Sequence, residues 1–152
     1  SSIAGRVKGF REGIAQFPNI ELVGVDWCLD DEETAERQTR NALRKHPDIV
    51  GVFGVNVFSA QGAYKAIIET GLTGAVKVAA WDATPTLIEA LEKGEVDLVL
   101  AQKPAEMGAL AVEWAAKAIR ENARVPKKLM PGFEFFTVEN VRDPAMRRFA
   151  YR

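Results

Sequence analysis

Cysteine and histidine are almost absent from this chain, whose 152 residues hold one of each, Cys28 and His46. A single cysteine excludes an internal disulfide and any cysteine-rich metal centre, and it leaves the redox compartment open. Cys28 reads as a half-buried small residue. His46 has no second histidine or cysteine near it and stands in the last turn before Pro47, where an imidazole helps neutralise the carbonyl end of a helix dipole. No metal is expected there. Nor is either sign of charge in excess: 20 Lys and Arg face 21 Asp and Glu, a formal charge of −1. No global field therefore points to nucleic acid, an anionic membrane or a polyanionic substrate, and the one local bias is a basic tail. No apolar run approaches the roughly 20 residues that span a bilayer, and no signal-peptide pattern opens the chain. The phosphate-cradling loops GxxxxGK[ST] and GxGxxG are missing, as are a nucleophile elbow and any Ser or Cys with an adjacent base. Neither catalysis nor a cofactor is expected.

What is present is the length of one domain and a strong alternation of helix and strand patterns. Ile3, Val7, Phe10, Ile14 and Phe17 recur at helical spacing, with Ser2 as N-cap and Pro18 as the stop. Ile20 to Trp27 reads as a strand, and Asp30 with Glu33 has capping-box spacing at the start of a helix running to about His46. Ile49 to Val55 is a short apolar strand ending at Asn56, followed by a helix that turns Tyr64, Ile67 and Ile68 inward and stops at Gly71. Val76 to Lys103 is a complete strand-helix-strand unit: a β-rich run ends at Asp82, Thr84-Pro85 opens a helix, Gly94 closes it, and a second apolar run ends at Gln102. Pro104 begins the longest helix, with Met107, Leu110, Ala111, Trp114 and Ala118 on one face and Trp114 in the core. Phe133 to Val138 is a weak strand, and residues 142–152 are a charged extension without an assigned place. The pattern predicts an α/β fold, an open and mostly parallel sheet with helices on both faces. A helix rather than a strand comes first, so the chain is expected to start in mid-fold.

In a parallel sheet the carboxyl ends of the strands share one edge, where open α/β sheets bind ligands. The polar groups at those ends are Asp26 beside Trp27, then Asn56, Asp82, and Gln102 beside Lys103. Arg6 joins them from the first turn of its helix, next to rather than within the apolar stripe. Planar Asp, Asn, Gln and Arg side chains offer paired donors and acceptors that suit vicinal sugar hydroxyls, and a tryptophan face suits the C–H face of the ring. Singly, Asn56, Asp82 and Gln102 could equally cap helices and turns. A phosphoryl-accepting receiver domain fits poorly, because its acid pair belongs on a first strand and its hydroxyl residue at the end of a fourth.

The runs RVKGFREGI, KHPDIVGVFGVN and AAWDATPTLIEALEKGEVDLVLAQKPAEMG, in this order and spacing, resemble the C-terminal lobe of type I periplasmic binding proteins. These are the ribose-type sugar receptors of ABC transporters. The likeness extends to about Val141, which implies a ligand-binding lobe over residues 1–141, an extension over 142–152, and an N-terminal lobe outside this chain. It also implies sugar contacts at Arg6, Asn56, Asp82 and Gln102. The stacking aromatic is assigned to Trp27, a few residues ahead of its usual place, and Val57 stands where relatives often carry an acid. The resemblance further implies hinge closure on a monosaccharide, recognition of the closed form by a permease, and a periplasmic or lipid-anchored location. The alternative is the effector-binding half of a lactose-repressor-type regulator, whose VP-D-x-x-x-V-G-F-D and Pro-Leu-Thr runs are not seen here.

Overall fold

The computed structural model describes residues 2–151; Ser1 and Arg152, the outer ends of the two expected segments, lie outside the described residues. The elements are α1 (Ser2–Ile14), α2 (Glu32–Lys45), β1 (Gly51–Gly54), α3 (Val57–Glu69), β2 (Lys77–Trp81), α4 (Pro85–Glu92), β3 (Leu98–Ala101), α5 (Pro104–Glu121), β4 (Glu134–Phe136) and α6 (Pro144–Arg147). The strands form one sheet in the order β1-β2-β3-β4. β1 to β3 are parallel and β4 is antiparallel to β3. The architecture is the α/β fold expected, an open and mostly parallel sheet.

Side-chain alternation along the strands divides the two faces. Val78, Ala80, Val99 and Ala101 point to one side and are fully buried with Ile67 of α3, Leu87 and Leu91 of α4, and Phe136 of β4. Each large side chain buried here contributes about 1.5–3 kcal/mol. The helices can lie this close because Gly54 has no side chain: a Cβ there would sit 2.3 Å from Ala60 Cα of α3. The opposite face carries Phe53 and Trp81 beneath α1, where the Phe10 and Phe53 ring centroids are 5.0 Å apart. Leu98 and Leu100 of β3, on that same face, are only half-buried.

Local signals place most boundaries. Thr84 caps α4 through its hydroxyl with Pro85 at the first position, and Gly71 and Gly94 take positive φ (69° and 74°) just past the ends of α3 and α4. Pro104 opens α5, which ends on Asn122 in the left-handed region.

Several expectations are corrected. Ile20 to Trp27 is not a strand: among the described residues its backbone pairs with none of the four strands, and Ile20 and Val23 are about half exposed. Its apolar alternation has no neighbouring edge to be read against. Ser2 lies inside α1 rather than capping it. The cap of α2 is Asp31, accepting from Thr34 N–H, and not Asp30, because Leu29 and Asp30 both adopt positive φ and shift the helix start by one residue. Ile68 faces outward and Tyr64 is half-buried, leaving Ile67 as the inward residue of that turn. Trp114 is not core. α5 buries none of its residues: Leu110, Trp114 and Ala118 are half-buried, and Met107, Val112 and Ile119 are exposed.

Candidate functional site

The parallel register of β1 to β3 brings three strand ends to one edge of the sheet. At the end of β2, Asp82 N–H donates to Leu100 C=O (2.8 Å), which extends the ladder by one residue. The chain then turns at φ +75°, a left-handed conformation that costs a non-glycine residue about 1–2 kcal/mol. Strain of this kind is typical of functional positions. It sets the Asp82 side chain in a buried place, 7% exposed, where Oδ1 accepts from Gln102 Nε2 (2.6 Å) and from the Tyr151 hydroxyl (2.6 Å). Among the described residues, Oδ2 accepts no hydrogen bond. Asp82 and Gln102 are thus one unit on the rim, joined across the ends of adjacent strands.

Arg6 reaches the same edge from α1. Its Nη1 donates to Val55 C=O just past β1 (2.8 Å), and its guanidinium carbon stands 4.1 Å from the centroid of the Trp81 ring. The cation therefore bridges the ends of β1 and β2, held by a carbonyl and by the face of an indole. Trp81 is itself buried, with Phe133 edge-on to it at 5.3 Å and Phe53 at 6.3 Å. Its Nε1 has no hydrogen-bond partner among the described residues. In the sequence Trp81 reads only as a strand residue. The available signal was its parity: one step before Asp82, it faces away from Val78 and Ala80 and toward α1.

Asn56 lies beside this group and is engaged as a cap. Its Oδ1 accepts from the Ser59 N–H (2.9 Å), Ser59 Oγ bonds back to Asn56 N–H (3.1 Å), and Nδ2 donates to Asp30 Oδ1 (2.6 Å). Asp30 is a second rim residue that sequence reasoning took only for a helix cap. Trp27 stands apart: it is 54% exposed, and among the described residues no hydrogen bond or ring contact ties it to Arg6, Asn56, Asp82 or Gln102. Lys103 pairs with Glu134 of β4 at 2.6 Å, and Asp26 is exposed.

Tyr151 is the residue sequence reasoning missed entirely, because the segment carrying it had no assigned place. Residues 142–151 fold back on the domain. Asp143 caps α6, Arg147 pairs with Glu92 of α4 (2.6 Å), Met146 and Phe149 pack against the core, and Tyr151 N–H donates to Ala83 C=O (2.8 Å). Burial, and then the bond to Asp82, push the Tyr151 phenol above its ordinary value. It remains a protonated donor at any physiological pH.

A strained buried carboxylate, a carboxamide and a guanidinium on an aromatic wall, all at the carboxyl edge of a parallel sheet, form a rim suited to a small polyhydroxy ligand. Comparison with known proteins agrees with that class. Residues 2–123 match the model of the periplasmic binding protein domain. The D-allose-binding periplasmic protein of Escherichia coli is 28% identical over 132 residues, covering 85% of this chain and 42% of that protein. The ribose import binding protein RbsB of the same organism is 36% identical over 122 residues, covering 79% and 40%. Among solved structures, an ABC transporter solute-binding protein from Agrobacterium vitis with bound α-D-tagatopyranose superposes with a TM-score of 0.94 at 34% identity, over 100% of this chain and 51% of that one. Another from A. vitis, with bound D-fucose, gives 0.87 at 27%, covering 97% and 50%. The chain belongs to the periplasmic binding protein domain family, which consists of binding proteins and not enzymes. It spans about half the length of these relatives or less, and it matches one lobe of the solved structures. No helix among the described residues is long and apolar enough to cross a membrane.

Proposed function

We propose that this chain is the C-terminal, sugar-binding lobe of a solute-binding protein that delivers a monosaccharide to an ABC-transporter permease. The sugar is held in a cleft against a second, N-terminal lobe and trapped by hinge closure. Residues 1–141 make this lobe and 142–152 its terminal extension. The observation that carries the reading is the meeting of Arg6, Asp82 and Gln102 on one strand-end rim, with Asn56 adjacent. Arg6, Gln102 and the second Nδ2 N–H of Asn56 donate to ring hydroxyls, and Asp82 accepts from them. Trp27 closes on the ring only if its loop moves toward the rim on ligand binding. The named ligands of similar proteins, D-allose, ribose, D-tagatose and D-fucose, are all monosaccharides, which supports this ligand class for the chain. The exposed Met107, Val112 and Ile119 of α5 and the half-covered face of β3 support a second lobe. A periplasmic or lipid-anchored location follows from the same kinship.

Magnitudes explain why two lobes are needed. Four contacts at about 1 kcal/mol each, more for the charged ones, give roughly 4–8 kcal/mol. An association cost of at least about 4 kcal/mol leaves millimolar affinity or weaker for one lobe alone. The test is calorimetry of the full-length protein against a panel of aldopentoses, aldohexoses and ketohexoses. Micromolar binding of one of them is expected, and heat with none of them would overturn the reading.

A further inference from the structure

Residues 142–151 reach the candidate site itself. Tyr151 is attached there twice, by its backbone N–H to Ala83 C=O (2.8 Å) and by its hydroxyl to Asp82 Oδ1 (2.6 Å). The segment is fastened independently farther back, through Arg147 to Glu92 and through Phe149, which packs against the core with its ring 5.2 Å from Lys103 Nζ. Asp82 receives both of its side-chain hydrogen bonds on the same oxygen, from Gln102 and from Tyr151. Two donors converging on Oδ1 fix the rotation of a carboxylate about its Cβ–Cγ bond and leave Oδ2 as a directed acceptor. A carboxylate held by one donor would swing, and its preference for a particular hydroxyl direction would weaken.

We propose that Tyr151 is a positioning residue of the sugar site, which acts through Asp82 and sets the discrimination between sugars that differ in configuration at the hydroxyl held by Asp82. The proposal rests on the sugar-site reading above. It makes residues 142–151 part of the recognition apparatus rather than an appendage. The phenol suits the task, since it stays protonated and therefore always donates, leaving the carboxylate as the acceptor.

The experiment uses the full-length protein and calorimetric titration with its best-bound monosaccharide and two epimers of that sugar, in wild type, Tyr151→Phe, Asp82→Asn and Arg147→Ala. Phenylalanine keeps the ring and removes only the hydroxyl. Tyr151→Phe is expected to lower affinity for the best sugar about tenfold and to narrow the affinity ratio between that sugar and its epimers several-fold. Arg147→Ala, which loosens the same segment away from Asp82, should leave the ratio unchanged. Unaltered affinity and ratio in Tyr151→Phe, with binding lost in Asp82→Asn, would overturn the role of Tyr151 and leave the site standing. An equal drop for all three sugars in both Tyr151→Phe and Arg147→Ala would overturn it too, reducing the segment to a structural brace. Unchanged binding in Asp82→Asn would instead remove the sugar-site reading on which the proposal depends.

Discussion

Gln102 Nε2 donates to Asp82 Oδ1 at 2.6 Å, so the last polar groups of two adjacent parallel strands are a single hydrogen-bonded pair. The pair exists because β2 and β3 run in register, with Trp81 opposite Leu100, and because the left-handed turn at Asp82 directs its side chain across the strand ends instead of along the following loop. Either residue alone would be an ordinary cap. Together they present a carboxylate and a carboxamide in fixed relation. Gln102→Ala in the full-length protein is expected to weaken sugar binding by about tenfold or more, since it removes one contact and frees another. Isothermal titration checks this, and undiminished affinity would separate Gln102 from the site.

Packing between α2 and α3 gives a prediction about stability. A Cβ at Gly62 would lie 2.5 Å from Glu32 C=O, 2.6 Å from Ala35 Cβ and 2.7 Å from Glu36 N. These are backbone or first side-chain atoms that cannot swing aside. Alanine would gain up to about 1 kcal/mol in helix propensity but force the helices apart at a cost of about 1–3 kcal/mol. Gly62→Ala should therefore lower the thermal midpoint by several degrees. Gly108 in α5 has nothing within 4 Å of such a Cβ, so Gly108→Ala should hold or raise it. Thermal melts of the two variants side by side should place Gly62→Ala below wild type and Gly108→Ala at or above it.

Stability should also fall in alkali through Tyr64. Burial, and then a 2.6 Å hydrogen bond to Glu95, push its phenol up to about 12 from the usual 10. The folded state holds the proton more tightly than the unfolded state does. This stabilisation is fully present below pH 10 and is lost as pH rises toward 12. Tyr151 contributes in the same direction. Tyr64→Phe should flatten part of the decline in thermal midpoint over that interval, and an identical slope in the variant would exclude Tyr64 as a source.

Much of the fold was legible because its signals are local. Thr84-Pro85, Gly71, Gly94 and Pro104 act on their own turn of backbone, and the elements end where those residues say. What was not legible depends on partners distant in sequence. Ile20 to Trp27 alternates like a strand, but a strand is defined by its neighbour, and none of the described strands pairs with it. Trp114 has core periodicity on a helix that is only half covered, with none of its residues buried. The cap of α2 moved by one residue because Leu29 and Asp30 take left-handed φ, which the spacing of acids does not reveal. At the rim, parallel topology places Asp82 and Gln102 on one edge, and Arg6 joins them from a helix expected to begin on that edge. It missed Trp81, whose role comes from the stacking of Arg6, and Tyr151, which is 69 residues from Asp82 in sequence.

The central claim is that the Arg6, Asp82 and Gln102 rim grips a monosaccharide, and Arg6 is its most direct test, because among the described residues the guanidinium makes one hydrogen bond, to Val55 C=O, and stacks on the Trp81 ring. The deciding measurement is calorimetric titration of the full-length protein and its Arg6→Ala variant with the best-bound sugar of the panel, with near-ultraviolet circular dichroism as the check on folding. Loss of a charged contact of about 3 kcal/mol should weaken binding roughly a hundredfold while the spectrum stays native. A folded Arg6→Ala variant that binds the sugar as tightly as wild type would contradict the claim.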